Sequence, residues 1–225
     1  MLRTIISKFF PKNWIFKIVS KDQLKEKNIV RIAIISDTHN YHEKLIIPTV
    51  DIIICAGDFT DSGTEKEATN FLEWFNSLKA KYKITILGNH EYCLQKNIRD
   101  ILSKFPNIIF LDNDVIELFG LVIYGTEGFE PIQYTNKNID ILITHYPPVN
   151  ILDQNAILYN CGLDNINKFI KDKNIGVHIF GHIHESAGSI KINKTLFINA
   201  AIMKKSFIAE NEKVELNDIV LLDIK

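Results

Sequence analysis

Residues 30–40 read VRIAIISDTHN: a run of branched aliphatic residues, Val30–Ile35, that stops at the polar cluster Ser36-Asp37-Thr38-His39-Asn40. The same design recurs four times. Asp51–Ala56 leads into Gly57-Asp58-Phe59-Thr60-Asp61, and Lys83–Leu87 into Gly88-Asn89-His90-Glu91. Ile139–Thr144 is followed by His145-Tyr146-Pro147-Pro148, and Gly176–Phe180 by Gly181-His182-Ile183-His184-Glu185. Continuous Ile/Val runs suit strands buried on both faces of a sheet. Ligand sites in α/β sheets lie outside the carboxyl ends of such strands, so the five clusters are expected to converge.

Amphipathic segments separate several of the runs. Thr64–Lys79 sets Phe71, Leu72, Phe75 and Leu78 at helical spacing against Lys66, Glu67, Asn70 and Glu73. Asn97–Phe105 and Leu163–Lys173 read the same way. Between Asn107 and Tyr124, and from Ser186 onward, short turns replace helices, with polar connections at Lys191–Lys194, Ile208–Lys213 and Glu215–Asp218. Units of βαβ flanked by antiparallel pieces predict an α/β fold, satisfied by a four-layer α/β/β/α sandwich.

With 225 residues and no internal linker, the chain is read as one domain at 29–225 preceded by an extension at 1–28. Within that extension Pro11 separates a short amphipathic piece from a predicted strand, Trp14–Val19. Residues 1–19 mix Phe9, Phe10, Trp14 and Phe16 with Arg3, Lys8, Lys12 and Lys17. They read either as a segment packed on or beside the domain, or as one making weak contact with an anionic membrane surface. Lysines interrupt the apolar stretch and no small-residue cleavage pattern follows, against a secretory signal. The 26 basic and 27 acidic residues leave a net charge of −1, which gives no strong nucleic-acid signal. Three unclustered cysteines, Cys55, Cys93 and Cys161, argue against a disulfide framework and for a reducing, cytoplasmic setting.

Five of the seven histidines fall in the strand-end clusters: His39, His90, His145, His182 and His184. Gathering so many ionisable groups in one place is costly unless a cation compensates them. Imidazole and carboxylate together suit Zn, Fe, Ni and Mn. The spacings Asp-x-His and His-x-His set two ligands on one side of an extended segment.

In this order, Asp37-x-His39, Gly57-Asp58, Gly88-Asn89-His90-Glu91, His145 and Gly181-His182-x-His184 resemble the signature of the calcineurin-like metallophosphoesterases. The stretches Cys55-Ala56-Gly57-Asp58-Phe59-Thr60, Thr144–Pro148 and Ile198-Asn199-Ala200 are most similar to the metallophosphoesterase domain-containing (MPPED-type) phosphodiesterases. The resemblance implies the sandwich of that family and two divalent cations, Mn foremost, with Fe, Zn, Ni or Co as alternatives. It implies one cation on Asp37, His39 and His184, a second on Asn89, His145 and His182, and Asp58 shared between them. It further implies hydrolysis of a small-molecule phosphate ester by a metal-bridging hydroxide, with His90 as general acid or electrostatic stabiliser and the Asp61 carboxylate orienting it. Glu91 and Glu185 are expected beside ligand imidazoles, and Asn199 beneath the site.

The protein phosphatases of the family carry arginines after the second motif and before the third. Ser62 and Leu87 stand there in this chain, which favours a diester over a monoester dianion. A phosphomonoesterase and a non-catalytic scaffold on the same fold are the alternatives. The segment Thr126–Asn138, with Phe129, Pro131 and Tyr134, is read as a wall of the cleft or as a plain surface loop.

Overall fold

The computed structural model describes residues 14–92, 94–134, 138–171, 173–205 and 213–225. The amphipathic stretch read at the start of the chain, up to residue 13, and most of the connection at 208–213 lie outside them.

Strands β2 (Val30–Ile35), β3 (Val50–Cys55), β4 (Ala80–Thr85) and β5 (Ile108–Phe110) run parallel. The antiparallel strand β12 (Val220–Ile224) joins β2, and β1 (Phe16–Val19) pairs with β12, closing the order β1-β12-β2-β3-β4-β5. The second sheet repeats the plan. Strands β7 (Leu121–Gly125), β8 (Asn138–Ile143), β9 (Asn174–Phe180) and β11 (Thr195–Asn199) are parallel. Antiparallel β6 (Asp114–Leu118) and β10 (Gly188–Ile192) form its edges, in the order β10-β11-β9-β8-β7-β6.

The inner faces of the two sheets meet in one apolar layer. Ile32, Ile34, Ile52, Ile54 and Ile84 of the first sheet pack against Ile123, Ile141, Ile143, Val177 and Ile179 of the second. Each aliphatic side chain so buried contributes roughly 1.5–3 kcal/mol relative to exposure. Helices α1 (Glu65–Ser77) and α2 (Leu94–Ser103) cover the outer face of the first sheet, where Phe59, Phe71, Leu72 and Phe75 pack on Ala33, Ile35, Ile53 and Cys55. On the other outer face, α3 (Asp164–Lys171) sets Phe169 against Tyr124, Ile139, Leu142 and Ile175. This is the α/β/β/α sandwich.

Helix α1 begins where its sequence dictates. The Thr64 side chain accepts from Glu67 N (3.2 Å), and the Glu67 carboxylate accepts from Thr64 N (3.1 Å), a capping box. The other Glu67 oxygen accepts from the Asn40 amide at 2.9 Å, tying the helix start to the loop after β2.

One sequence reading is corrected. Strand β4 begins at Ala80 rather than Lys83, because its first half is partly exposed and alternates lysines with apolar residues, masking the apolar signal. The described part of the extension packs on the domain: Phe16–Val19 is hydrogen-bonded into the first sheet, and Phe16 fills the space beside Gly176 of β9. Among the described residues no helix is long and apolar enough to cross a membrane.

Candidate metal centre

All five clusters sit at strand ends on the same edge of the sandwich. Beyond β2 and β3 the chain keeps pairing, Asp37 N donating to Gly57 O (3.0 Å) and His39 N to Asp58 O (3.2 Å). Asp37, His39, Asp58 and His182 all take positive φ (52°, 39°, 50° and 68°). Non-glycine residues rarely adopt that region, and here it turns the side chains out of the strand direction. Two glycines make the closeness possible. A Cβ on Gly181 would lie 1.9 Å from the Asp37 carboxylate, and one on Gly88 would lie 2.3 Å from that of Asp58.

The donors gather in adjoining groups. Atoms of Asp37, His39 and His184 lie within 4.8 Å of one another, as do atoms of Asp58, His145 and His182. His184 Nε2 is 3.3 Å from Asp37 Oδ1 and 3.2 Å from His39 Nε2. His145 Nε2 is 3.2 Å from Asp58 Oδ2 and 3.0 Å from Asn89 Oδ1. Asp58 Oδ2 is also 3.9 Å from His39 Nε2, between the groups.

The outer contacts fix the tautomers. His145 Nδ1–H donates to Ala56 O (2.9 Å) and His39 Nδ1–H to Thr60 O (3.1 Å), which leaves each Nε2 as a lone pair facing the cluster. The His182 backbone N–H donates to both Asp37 oxygens at 2.9 and 3.0 Å, joining the two sheets at the site.

The electrostatics are those of a cation site. Burial would push the Asp37 carboxyl up, but the hydrogen bond and charge of His184, with His145 and His39, hold it well below the usual range. Asp58 is lowered against burial in the same way, chiefly by His145. Burial opposes the charging of His145, yet Asp58 lifts it to about 10. Burial and the charge of His145 press His182 down to about 4. Two buried carboxylates and a set of imidazole lone pairs converging on one space fit divalent cations in the positions a proton would otherwise occupy.

Two expected contacts differ. The Asp61 carboxylate is exposed and does not hold His90; it is the Asp61 backbone carbonyl that accepts from His90 Nδ1, at 2.6 Å. Asp61 lies in a turn whose carbonyl faces inward, so its side chain is left 3.9 Å from His39 Nδ1. Glu91 does not orient an imidazole. Fully buried, it accepts from Asp58 N (2.9 Å), Gly88 N (2.7 Å), Thr60 N (2.9 Å) and the Thr60 hydroxyl (2.9 Å), locking the loops after β3 and β4 together. Burial and the Asp58 charge push its carboxyl up to about 7. Glu185, exposed on the cleft wall, is beside a ligand imidazole as expected; against the effect of burial, its charge helps Asp37 to raise the pKa of His184. Asn199 does support the backbone, donating to Leu152 O and Ile183 O.

Above the cluster opens a cleft of about 520 Å³. His39, Asn89, His90, His182 and His184 form its floor. Phe129 and Tyr134 are not on its lining. Phe129 packs on Tyr146, which backs His182 at a ring distance of 4.5 Å. The outer wall is instead Asn155, Ala156, Ile157 and Cys161, a loop that the sequence reading passed over. The apolar triplet Ile157-Leu158-Tyr159 between turn-forming Asn155 and Asn160 was the signal available.

The family model described as calcineurin-like phosphoesterase matches residues 30–186. Metallophosphoesterase domain-containing protein 1 of Homo sapiens is 29% identical over 227 residues, covering 82% of this chain and 69% of that protein. Among solved structures, TT1561 of Thermus thermophilus superposes with a TM-score of 0.58 at 11% identity, over 85% of this chain and 99% of that one. A novel archaeal phosphodiesterase superposes at 0.50 and 19% identity, over 84% and 99%. At such identities the superpositions speak for the fold alone. The family match covers most of the chain and takes in every strand-end cluster found to converge, so the chain belongs to the calcineurin-like phosphoesterases, and its site is that of a metal-dependent phosphoesterase.

Proposed function

We propose that the chain hydrolyses a phosphodiester with two divalent cations, Mn²⁺ foremost, held by Asp37, His39 and His184 on one side and Asn89, His145 and His182 on the other. The observation that carries two cations over one is the place of Asp58: its Oδ2 lies 3.2 Å from His145 Nε2 and 3.9 Å from His39 Nε2, within reach of both donor groups. Cations there would supply positive charge to the phosphoryl oxygens and acidify a water.

The protein's own part is positioning and proton transfer. Glu91 and the carbonyls of Ala56 and Thr60 hold the donors in place before any substrate arrives. His90 is fixed twice, its backbone N–H donating to Asp58 Oδ1 (2.9 Å) and its Nδ1–H to the Asp61 carbonyl. In its doubly protonated form Nε2–H is the proton left to give, and the leaving alkoxide in the cleft is the group to receive it. Support for a diester comes from charge. Among the described residues no lysine or arginine lines the cleft, and Asp61 and Glu185 do. A monoester dianion brings one negative charge more into that setting than a diester.

The test is metal content and hydrolysis on one Mn²⁺-loaded sample, with bis-p-nitrophenyl phosphate against p-nitrophenyl phosphate. Diester cleavage abolished by chelator, with close to two metal equivalents per chain, is the expected result. Cleavage of the monoester alone would overturn the diesterase reading, and one equivalent with full activity would overturn the two-cation reading.

A further inference from the structure

Part of the cleft lining is apolar. Ala156 and Ile157 line it together with Ile183 and Met203, in the same cleft as His90 and His184. Ile157 is 82% exposed, and it is its place on the cleft lining that sets it apart from other exposed aliphatic side chains.

The loop that carries it is held by a dense set of its own hydrogen bonds. Asn155 Oδ1 accepts from Ile157 N (3.2 Å) and Tyr159 N (3.0 Å), and Asn155 N donates to Tyr159 O (3.0 Å). Gln154 and Asn160 form an antiparallel bridge, and buried Asp153 accepts from Asn150 N and Gly162 N at 3.0 Å each. The Ser186 hydroxyl donates to Gln154 O (2.6 Å), which ties the loop to the turn His184–Ser186 that also carries a metal donor. An exposed aliphatic side chain is thus held in a fixed place at the mouth of a cleft of ligand size. Among the described residues, the Asp and Glu side chains on the cleft lining, Asp61 and Glu185, stand without a lysine or arginine beside them on that lining.

We infer that Ile157 is a specificity residue, and that the phosphodiester taken by this site carries an uncharged, apolar alcohol component, aryl or alkyl, which rests on Ala156 and Ile157 while the phosphoryl group lies over the histidines. This rests on the diesterase reading above. An ester with a second anionic group in that place would meet the Asp61 and Glu185 carboxylates instead of a cation. Leu158 and Tyr159 are also largely exposed but do not line the cleft, so they serve as internal controls.

The experiment measures inhibition of bis-p-nitrophenyl phosphate hydrolysis by diphenyl phosphate and by dimethyl phosphate, with the full-length Mn²⁺-loaded protein. Both inhibitors are monoanions and differ in their apolar arms. Diphenyl phosphate is expected to bind about tenfold or more tightly than dimethyl phosphate. Ile157→Ser should shrink that ratio by about fivefold, with metal content and the dimethyl phosphate constant unchanged, while Leu158→Ser leaves the ratio within about twofold of wild type. Equal inhibition constants in the wild type, an unchanged ratio in Ile157→Ser, or an equal loss in Leu158→Ser would each overturn the inference. Those results leave the diesterase reading standing. Absence of diester hydrolysis by the metal-loaded wild type would remove that reading and this inference together.

Discussion

Asp58 and Ile157 belong to one site, yet the first is 2% exposed and the second 82%. The floor around Asp58 is held by strands, by left-handed turns and by glycines that admit no Cβ. The wall around Ile157 is held by side-chain hydrogen bonds within a single surface loop. The floor therefore has little freedom to change without losing its chemistry, whereas the wall can vary in shape on a fixed base. That division separates reaction from selectivity, and it sets the size of effect expected from substitutions in each part.

The largest effects are expected in the floor. Asp58→Asn removes a carboxylate that lies within reach of both donor groups. Metal content should fall, and the rate should drop by at least about 10⁴-fold, because the charge stabilisation and water activation that cations supply go with it. Metal analysis beside turnover of bis-p-nitrophenyl phosphate reads both. A variant that kept its metals and its rate would break the claim that the floor is indivisible.

His90→Ala sharpens the same comparison, since His90 is on the floor but outside the proposed ligand set. Metal content should hold while the rate falls by ~10²–10⁴-fold, and the loss should be smaller for esters whose leaving group needs no proton, such as p-nitrophenolate. Equal losses for good and poor leaving groups would argue for a purely electrostatic role.

Why the floor was legible in the sequence and the wall was not follows from the same contrast. Asp37, His39, Asp58, Asn89, His145, His182 and His184 follow Ile/Val runs directly, so residue type and strand end coincide in the linear text. The sandwich was legible for the same reason, each buried strand being a continuous apolar run. Glu91 was misread, because its function is to accept four hydrogen bonds from two loops and nothing in Asn89-His90-Glu91 reveals where those donors lie. Asp61 was read as a carboxylate when its carbonyl makes the contact, a distinction that depends on the turn's backbone conformation. The wall at Asn155–Cys161 has no periodicity, and its placement depends on Asp153, Gln154 and Ser186 meeting across the fold.

Glu91→Gln tests how far the floor depends on that hidden clamp. An amide presents only one acceptor oxygen, so either the N–H groups of Gly88 and Asp58, or the N–H and hydroxyl of Thr60, would face its NH₂. Metal affinity should fall by about 10–100-fold, as for other outer partners of metal ligands. Stability should drop by about 1–3 kcal/mol from the unsatisfied donors. Retention of both would mean that the strands alone hold the loops.

The framework behind the floor carries a pH signature. His178 on β9 is fully buried, and its Nε2 lies 2.8 Å from the Thr144 hydroxyl, whose own proton goes to Tyr146 O. Nε2–H is then the donor, and Nδ1 is left buried without a partner. Burial lowers the pKa of His178 to about 3 from an unfolded value of 6.5. Between those values the unfolded chain binds the proton and the folded one does not. Stability from this group is therefore full above pH 6.5 and lost as pH falls, by up to about 1.4 kcal/mol per pH unit. His178→Leu should flatten the acid limb of the stability curve relative to wild type in urea titrations from pH 7 to pH 5. Parallel curves would show that His178 is not the group responsible.

The smallest effects belong to the tip of the wall. Leu158 and Tyr159 are 76% and 69% exposed, and the hydrogen bonds that shape the tip come from backbone groups and from Asn155. Tyr159→Ser leaves its N–H on Asn155 Oδ1 and its carbonyl on Asn155 N, so the loop keeps its form. Unfolding free energy should move by less than about 0.5 kcal/mol, with metal content and diester turnover unchanged. Asp153→Ala, at the buried base of the same loop, strips the acceptor from Asn150 N and Gly162 N and should cost about 1–3 kcal/mol. If the tip proved as sensitive as its base, the wall would be a packed part of the fold like the floor. If both proved insensitive, the loop would be too loosely held for Ile157 to select among esters.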